Sequence, residues 1–119
     1  MRPMLAAALA ISALSLAGVP STPASASLEQ GARAPSFTLP AAQGGRRLTV
    51  SLDRLLRRGP VVVYFFPRAF TSGCTIESRA FAEAIPQFRA AGATVIGMSM
   101  DDVDTLERFS TQECRGAFP

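Results

Sequence analysis

The chain has 119 residues, nearly half of them apolar, which suits one globular domain and argues against disorder. The formal net charge is +3, too small to argue for a nucleic-acid partner, and all twelve basic residues are arginine. Without histidine there is no Ser-His-Asp or Cys-His nucleophile pair and, with only two cysteines, no ordinary zinc site; without lysine there is no Schiff base and no P-loop.

Residues 1–26 read as an export signal. Arg2 and the terminal amine precede an unbroken run of small and apolar residues over 5–16, and Gly18, Pro20 and Pro23 end any helix there. Ala24-Ser25-Ala26 is a small-x-small cleavage pattern. The apolar run is shorter than the ~20 residues a membrane span needs, and no cysteine follows it to carry a lipid anchor. Cleavage after Ala26 leaves residues 27–119 as an exported domain, periplasmic or secreted, with no stable membrane association and with its cysteines where disulfides persist.

Within 27–119, Pro35-Ser36-Phe37-Thr38-Leu39 alternates and reads as a short edge strand. Gln43-Gly44-Gly45 is a turn, and Leu48-Thr49-Val50 completes a hairpin. Ser51 is placed to cap a short helix over 53–58, with Leu52, Leu55 and Leu56 on one side. Arg46, Arg47, Arg54, Arg57 and Arg58 form the one dense basic patch, read as a solvated face.

Residues 61–66, Val-Val-Val-Tyr-Phe-Phe, are apolar on both faces and predict a central strand covered by helices on both sides. A loop follows over 67–72, and a helical pattern begins at Gly73 with Phe81, Ala84, Ile85 and Phe88 on one face. Pro86 predicts a kink or a second helix, and Gly92 a helix C-cap. Residues 94–99 form a second buried strand, and Asp101 or Asp102 caps a last helix bearing Val103, Leu106 and Phe109. Strand, helix, strand is a right-handed βαβ unit with parallel strands, whose sites lie at the carboxyl ends of those strands. Two central strands and an edge hairpin make a small core, so further strands and a helix are expected beyond Pro119.

That architecture puts Cys74 at a functional position. It stands at the N-terminus of the helix that leaves the central strand, where unpaired N–H groups and the helix dipole favour a thiolate. Gly73 lets the backbone approach a ligand, and Thr71 can turn its hydroxyl toward the sulfur or a bound oxygen. Pro67 stiffens the loop and shields the thiol, and Glu77 is placed to hold an arginine. The same residues also suit a structural, buried cysteine.

Pro67-Arg68-Ala69-Phe70-Thr71-Ser72-Gly73-Cys74 matches the peroxiredoxin pattern P-x-x-x-T-x-x-C. Gly31, Ala34-Pro35 and Phe37 resemble that family's opening, and the stretch from Gly73-Cys74-Thr75 through Gly97-x-Ser99-x-Asp101 resembles its Q-type branch, the bacterioferritin comigratory proteins. The resemblance implies an α/β, thioredoxin-like fold that lacks its C-terminal strands and helix here. It implies reduction of hydrogen peroxide and organic hydroperoxides, with Cys74 peroxidatic, Thr71 binding the peroxide and Pro67 shielding the pocket. It implies no cofactor or metal, and recycling by a thioredoxin-like dithiol protein. Many Q-type members carry a resolving cysteine five residues after the first, but Arg79 stands there. Cys114, the other cysteine, is the candidate resolving thiol, and monomer and dimer both stay open. The family's catalytic arginine falls beyond Pro119, and Arg68, Arg79 and Arg115 are not nominated in its place.

Two rival readings stand beside this one. A secreted thioredoxin-like thiol-disulfide oxidoreductase would need C-x-x-C in the loop, where Thr71 replaces the first cysteine. An inactive truncated peroxiredoxin is the other.

Overall fold

The computed structural model describes residues 27–119, so the expected signal peptide lies outside the described residues. Residues 27–32 make one turn, in which the Ala32 N–H donates to the Glu29 carbonyl (3.0 Å). All strands and helices of the described residues fall in 33–119.

The first two strands, β1 (Thr38–Gln43) and β2 (Arg46–Ser51), form an antiparallel hairpin. Its loop is Gly44-Gly45, with φ of 57° and 75°. Two successive positive φ angles are the signature of the tight hairpin turn that matches strand twist, and glycine adopts them without strain. The two-residue turn sets the register. Six pairs counted back from it, Gln43 with Arg46 to Thr38 with Ser51, end the ladder at Thr38. The strand expected over 35–39 is therefore shifted toward the turn. Pro40 is tolerated because β1 is an edge strand.

A short helix, α1 (Leu52–Leu56), follows directly, one residue earlier than expected. Ser51 occupies its N-cap position but makes no side-chain cap bond; the Leu52 N–H instead donates to the Phe37 carbonyl (3.0 Å). Leu52 is buried and Leu55 half-buried, while Leu56 points to solvent, so only part of the expected apolar side is used. The basic patch is exposed, as expected, and Arg47 pairs with Glu107 (2.8 Å) and Asp104 of the last helix.

The expected βαβ unit is present: β3 (Val61–Phe65), α2 (Ser72–Ala90) and β4 (Thr94–Met98), with β3 and β4 parallel from Val61 opposite Thr94 to Phe65 opposite Met98. Tyr64, with Phe66 just past the strand end, faces inward. Their rings meet Phe81 of α2 (4.4 Å from Tyr64) and Phe109 (5.3 Å from Phe66). Phe65, on the opposite face, is 72% exposed. The expectation that helices cover both faces of this strand does not hold at Phe65. A continuous apolar run marks a strand but cannot by itself show that both faces are packed.

Helix α2 is a single element through Pro86, which neither ends it nor starts a second helix. Proline removes one N–H donor, and here its side chain lies on the exposed side, so the ladder resumes. The helix closes as expected at Gly92. The Ala93 N–H reaches the Phe88 carbonyl (2.9 Å) and the Gly92 N–H the Arg89 carbonyl (2.9 Å), the paired bonds of a Schellman motif. Buried Ile85 and half-buried Phe81, Ala84 and Phe88 form the predicted inner face.

The last helix, α3 (Val103–Gln112), is capped by Asp102, whose carboxylate accepts from the Thr105 N–H (2.8 Å). That bond holds the Asp102 carboxyl below its usual pKa. Asp102→Ala is expected to lower stability by removing the cap bond, read as a fall of the denaturation midpoint at unchanged slope. An unshifted midpoint would show that the cap contributes nothing. Phe109 is buried to 2% and ties α3 to Phe66 and Phe70. The helix stops two residues before Cys114. Glu113 and Cys114 both donate to the Phe109 carbonyl, and Arg115 and Gly116 then turn the chain with positive φ.

Candidate active site

The loop between β3 and α2 carries the site. Its backbone is held at three points. The Ala69 N–H donates to the Asp101 carboxylate (2.7 Å), which also accepts from the Ser99 hydroxyl (2.6 Å). The Thr71 hydroxyl donates to the Arg68 carbonyl (3.0 Å). Phe70 sits at φ 63°, a left-handed conformation that costs a non-glycine residue about 1–3 kcal/mol, and its ring packs edge-on against Phe109 (5.2 Å). The strained backbone is thus stabilised by a ring contact, a charge-assisted hydrogen bond and a local turn.

The loop delivers Cys74 to the first turn of α2. Thr71 is the N-cap and makes no side-chain cap bond. The first intrahelical bond runs from the Thr75 N–H to the Thr71 carbonyl (2.9 Å), so the N–H groups of Ser72, Gly73 and Cys74 precede the ladder. The positive end of the helix dipole lies in that turn and favours an anion. Cys74 is a free thiol, 7% exposed, with Pro67, Thr71 and Gly73 exposed around it. A Cβ added at Gly73 would meet nothing within 4 Å, so space is open at that backbone.

Cys114 is also a free thiol, 5% exposed, and belongs to the same buried cluster as Cys74, Tyr64, Phe66 and Phe109. Cys114 lies in the turn after α3, beyond the end of the helix. Burial pushes the Cys114 thiol up to about 11, and the Ser78 hydroxyl acts against that rise. Glu77 is exposed and joins no ion pair among the described residues. The arginine nearest to it in sequence, Arg79, pairs instead with Glu113 (2.7 Å), and Arg115 pairs with Glu83 (3.7 Å).

Three residues near the site were not singled out from sequence. Asp101, a candidate helix cap and the last residue of the Gly97-x-Ser99-x-Asp101 stretch, does not cap α3 but anchors the loop. Tyr64 is one residue of an apolar strand run, and Ser78 stands in no motif. Ser78 is fully buried and lies 2.8 Å, oxygen to oxygen, from the Tyr64 hydroxyl. Its position four residues after Cys74, on the same helix face, was the available signal. Gly97 is required beside this pair, because a Cβ there would approach the Tyr64 hydroxyl to 2.8 Å.

A hairpin packed on a parallel βαβ unit, with a cysteine at the N-terminus of the crossover helix, defines a thioredoxin-like α/β protein. Residues 30–119 match the AhpC/TSA family, and the chain belongs to that family of peroxiredoxins. Chloroplastic peroxiredoxin Q of Oryza sativa subsp. japonica is 45% identical over 82 residues, 69% of this chain and 36% of that one. A putative peroxiredoxin bcp of Helicobacter pylori is 36% identical over 85 residues, 71% of this chain and 53% of that one. Among solved structures, a Xanthomonas campestris bacterioferritin comigratory protein studied for alkyl peroxide reduction is 34% identical. It superposes with a TM-score of 0.58 over 68% of this chain and 50% of that one. The chain thus spans about a third to a half of the length of these proteins.

Proposed function

We propose that this chain carries the peroxide-reducing centre of a thiol peroxidase, with Cys74 as the attacking thiolate. The observation that supports this most is the placement of Cys74, directly off the carboxyl end of β3 in the first turn of α2, behind the Pro67-to-Thr71 loop. The thiolate attacks one peroxide oxygen. The O–O bond breaks, Cys74 becomes a sulfenic acid, and the departing oxygen takes up a proton to leave as water or an alcohol. Thr71 steers the peroxide, and Pro67 shields the thiol from bulk water. The X. campestris relative's alkyl peroxide reduction supports organic hydroperoxides, beside hydrogen peroxide, as the substrate class.

Cys114 is the resolving thiol in this reading. Both cysteines are free and lie in one buried cluster, so the second is at hand when the first is oxidised. Its thiol displaces hydroxide from the sulfenic sulfur, water leaves, and a Cys74–Cys114 disulfide forms. A thioredoxin-like dithiol protein returns both to thiols by exchange. Non-reducing peptide mapping after one equivalent of peroxide is expected to yield a Cys74–Cys114 peptide within one chain. A persistent Cys74 sulfenic acid with Cys114 still free would overturn the assignment of Cys114.

Export completes the proposal. The pattern over residues 1–26 directs the chain out of the cytoplasm, where the disulfide formed in turnover meets an oxidising compartment. N-terminal sequencing of the exported protein is expected to begin at Ser27. Recovery only from the cytoplasm with Met1 in place would end this part of the reading.

A further inference from the structure

A strained residue stands directly before the N-cap of α2. Phe70 has φ 63°, and a bulky side chain keeps that conformation only where its surroundings hold it. Both holds come from the chain that follows β4. Phe65 lies opposite Met98, and the Phe66 N–H donates to the Met98 carbonyl (3.0 Å), so the loops after β3 and β4 start side by side. Asp101, three residues past β4, accepts the Ala69 N–H (2.7 Å), and Phe109 of α3 meets the Phe70 ring edge-on (5.2 Å). Ala69 and Phe70, the two residues before Thr71, are thus fixed from outside their own loop.

We propose that Asp101 is a positioning residue for the reaction of Cys74 with peroxide: through Ala69 it holds the strained turn at Phe70 and so sets the place of Thr71 relative to the thiol. This rests on the reading of Cys74 as the attacking thiolate and of Thr71 as the residue that meets the peroxide. Asp101 touches neither sulfur nor substrate in this role, and its effect passes through the backbone.

Asp101 is itself preset for the task. The Ser99 hydroxyl accepts from the Asp101 N–H (3.1 Å) and donates to the carboxylate oxygen Oδ2 (2.6 Å), which fixes the side chain before it reaches the loop. The same Oδ2 takes the Ala69 N–H. Asp101 does not cap α3, which Asp102 does, and it joins no ion pair among the described residues. Its carboxylate is half-buried and Ala69 is buried, so this charge-assisted bond is little weakened by water. On the loop side, the Thr71 hydroxyl donates to the Arg68 carbonyl (3.0 Å), which closes residues 68–71 into one turn. The Asp101 bond enters that turn at Ala69 and fixes its orientation on the sheet. Without the bond, Phe70 relaxes toward negative φ and carries Thr71 with it. In-line attack on an O–O bond tolerates little misplacement, and a shift of about 1 Å costs about 100-fold in rate.

The test compares two reactions of one thiol. Sulfenic-acid trapping at Cys74 after a peroxide pulse gives the rate with peroxide. Alkylation by iodoacetamide, read at the Cys74 peptide, needs the thiolate but not the placement of Thr71. In Asp101→Ala the peroxide rate should fall about 100-fold. Alkylation should stay at the parent's rate, because the helix N-terminus that favours the thiolate is intact. Asp101→Asn keeps an acceptor for the Ala69 N–H and should recover most of the peroxide rate. Ser99→Ala leaves the carboxylate but frees its side chain, and should slow the peroxide reaction about tenfold, the usual worth of one hydrogen bond. It carries the test if Asp101→Ala does not fold. A parent-like peroxide rate in Asp101→Ala, or in Ser99→Ala where the first does not fold, would overturn the proposal and leave Cys74 as the nucleophile. Alkylation that speeds up as the peroxide reaction slows would show a loosened fold rather than a misplaced loop, and would overturn it too. A parent that traps no sulfenic acid at Cys74 would overturn the reading of Cys74 and the proposal with it.

Discussion

Cys74→Ser is expected to bring peroxide-driven oxidation of the protein down to the uncatalysed background. Serine keeps the size and the helix position but replaces a soft, nucleophilic sulfur with a much less nucleophilic oxygen. Cys114 cannot stand in for it: burial holds that thiol neutral, and it sits past the C-terminus of α3 rather than at a helix N-terminus. The measurement is mass spectrometry after a brief peroxide pulse with a sulfenic-acid trap, on the parent and on Cys74→Ser. In the parent, Cys74 should be labelled first. If Cys114 is labelled first, or if the variant consumes peroxide at the parent's rate, Cys74 is not the nucleophile.

Thr71→Val should slow the reaction with peroxide by about 100- to 1,000-fold, the usual loss when one preorganised hydrogen bond to the reacting group is removed. The Thr71 proton is engaged by the Arg68 carbonyl, which fixes the side chain and leaves its oxygen lone pairs as the free sites. In the proposed mechanism the hydroxyl would meet a hydroperoxide as an acceptor of its O–H and line up the O–O bond with the sulfur. Valine keeps the β-branched shape and loses both the acceptor and the tie to Arg68. Thr71→Ser retains the oxygen and should recover most of the rate. Single-turnover kinetics with Cys74 labelling is the readout. A valine variant as fast as the parent would remove Thr71 from the mechanism, and an equally slow serine variant would point to the methyl group instead.

The two strong strands, the long helix between them and the cysteine at that helix's start were legible in the sequence. Local rules govern each of these. A run such as Val61 to Phe65 has few alternatives to a strand, Gly92 ends a helix wherever it meets one, and Gly44-Gly45 turns a hairpin. The P-x-x-x-T-x-x-C loop is also local, so Pro67, Thr71 and Cys74 could be named before their geometry was seen. Where competing local signals met, the reading slipped. The extent of β1 followed the register set by its turn, not the alternation over 35–39. Pro86 stayed inside α2 because the remaining ladder and the packing of Phe81, Ile85 and Phe88 outweigh one lost bond.

What the sequence by itself determined, then, is the βαβ unit and the place of Cys74 in it, because both follow from periodicity and spacing along a few neighbouring residues. Tertiary structure alone decided which residues surround that cysteine. Asp101 reaches Ala69 from 32 positions away, Phe109 supports Phe70 from another element, and Cys114 joins the buried cluster from the turn after α3, where its N–H donates to the Phe109 carbonyl. The Tyr64 and Ser78 hydroxyls meet across 14 residues, in a core where no single segment shows a polar partner. Such contacts depend on how helices settle on the sheet, which is set by the packing of many side chains at once and leaves no local mark in the order of the amino acids.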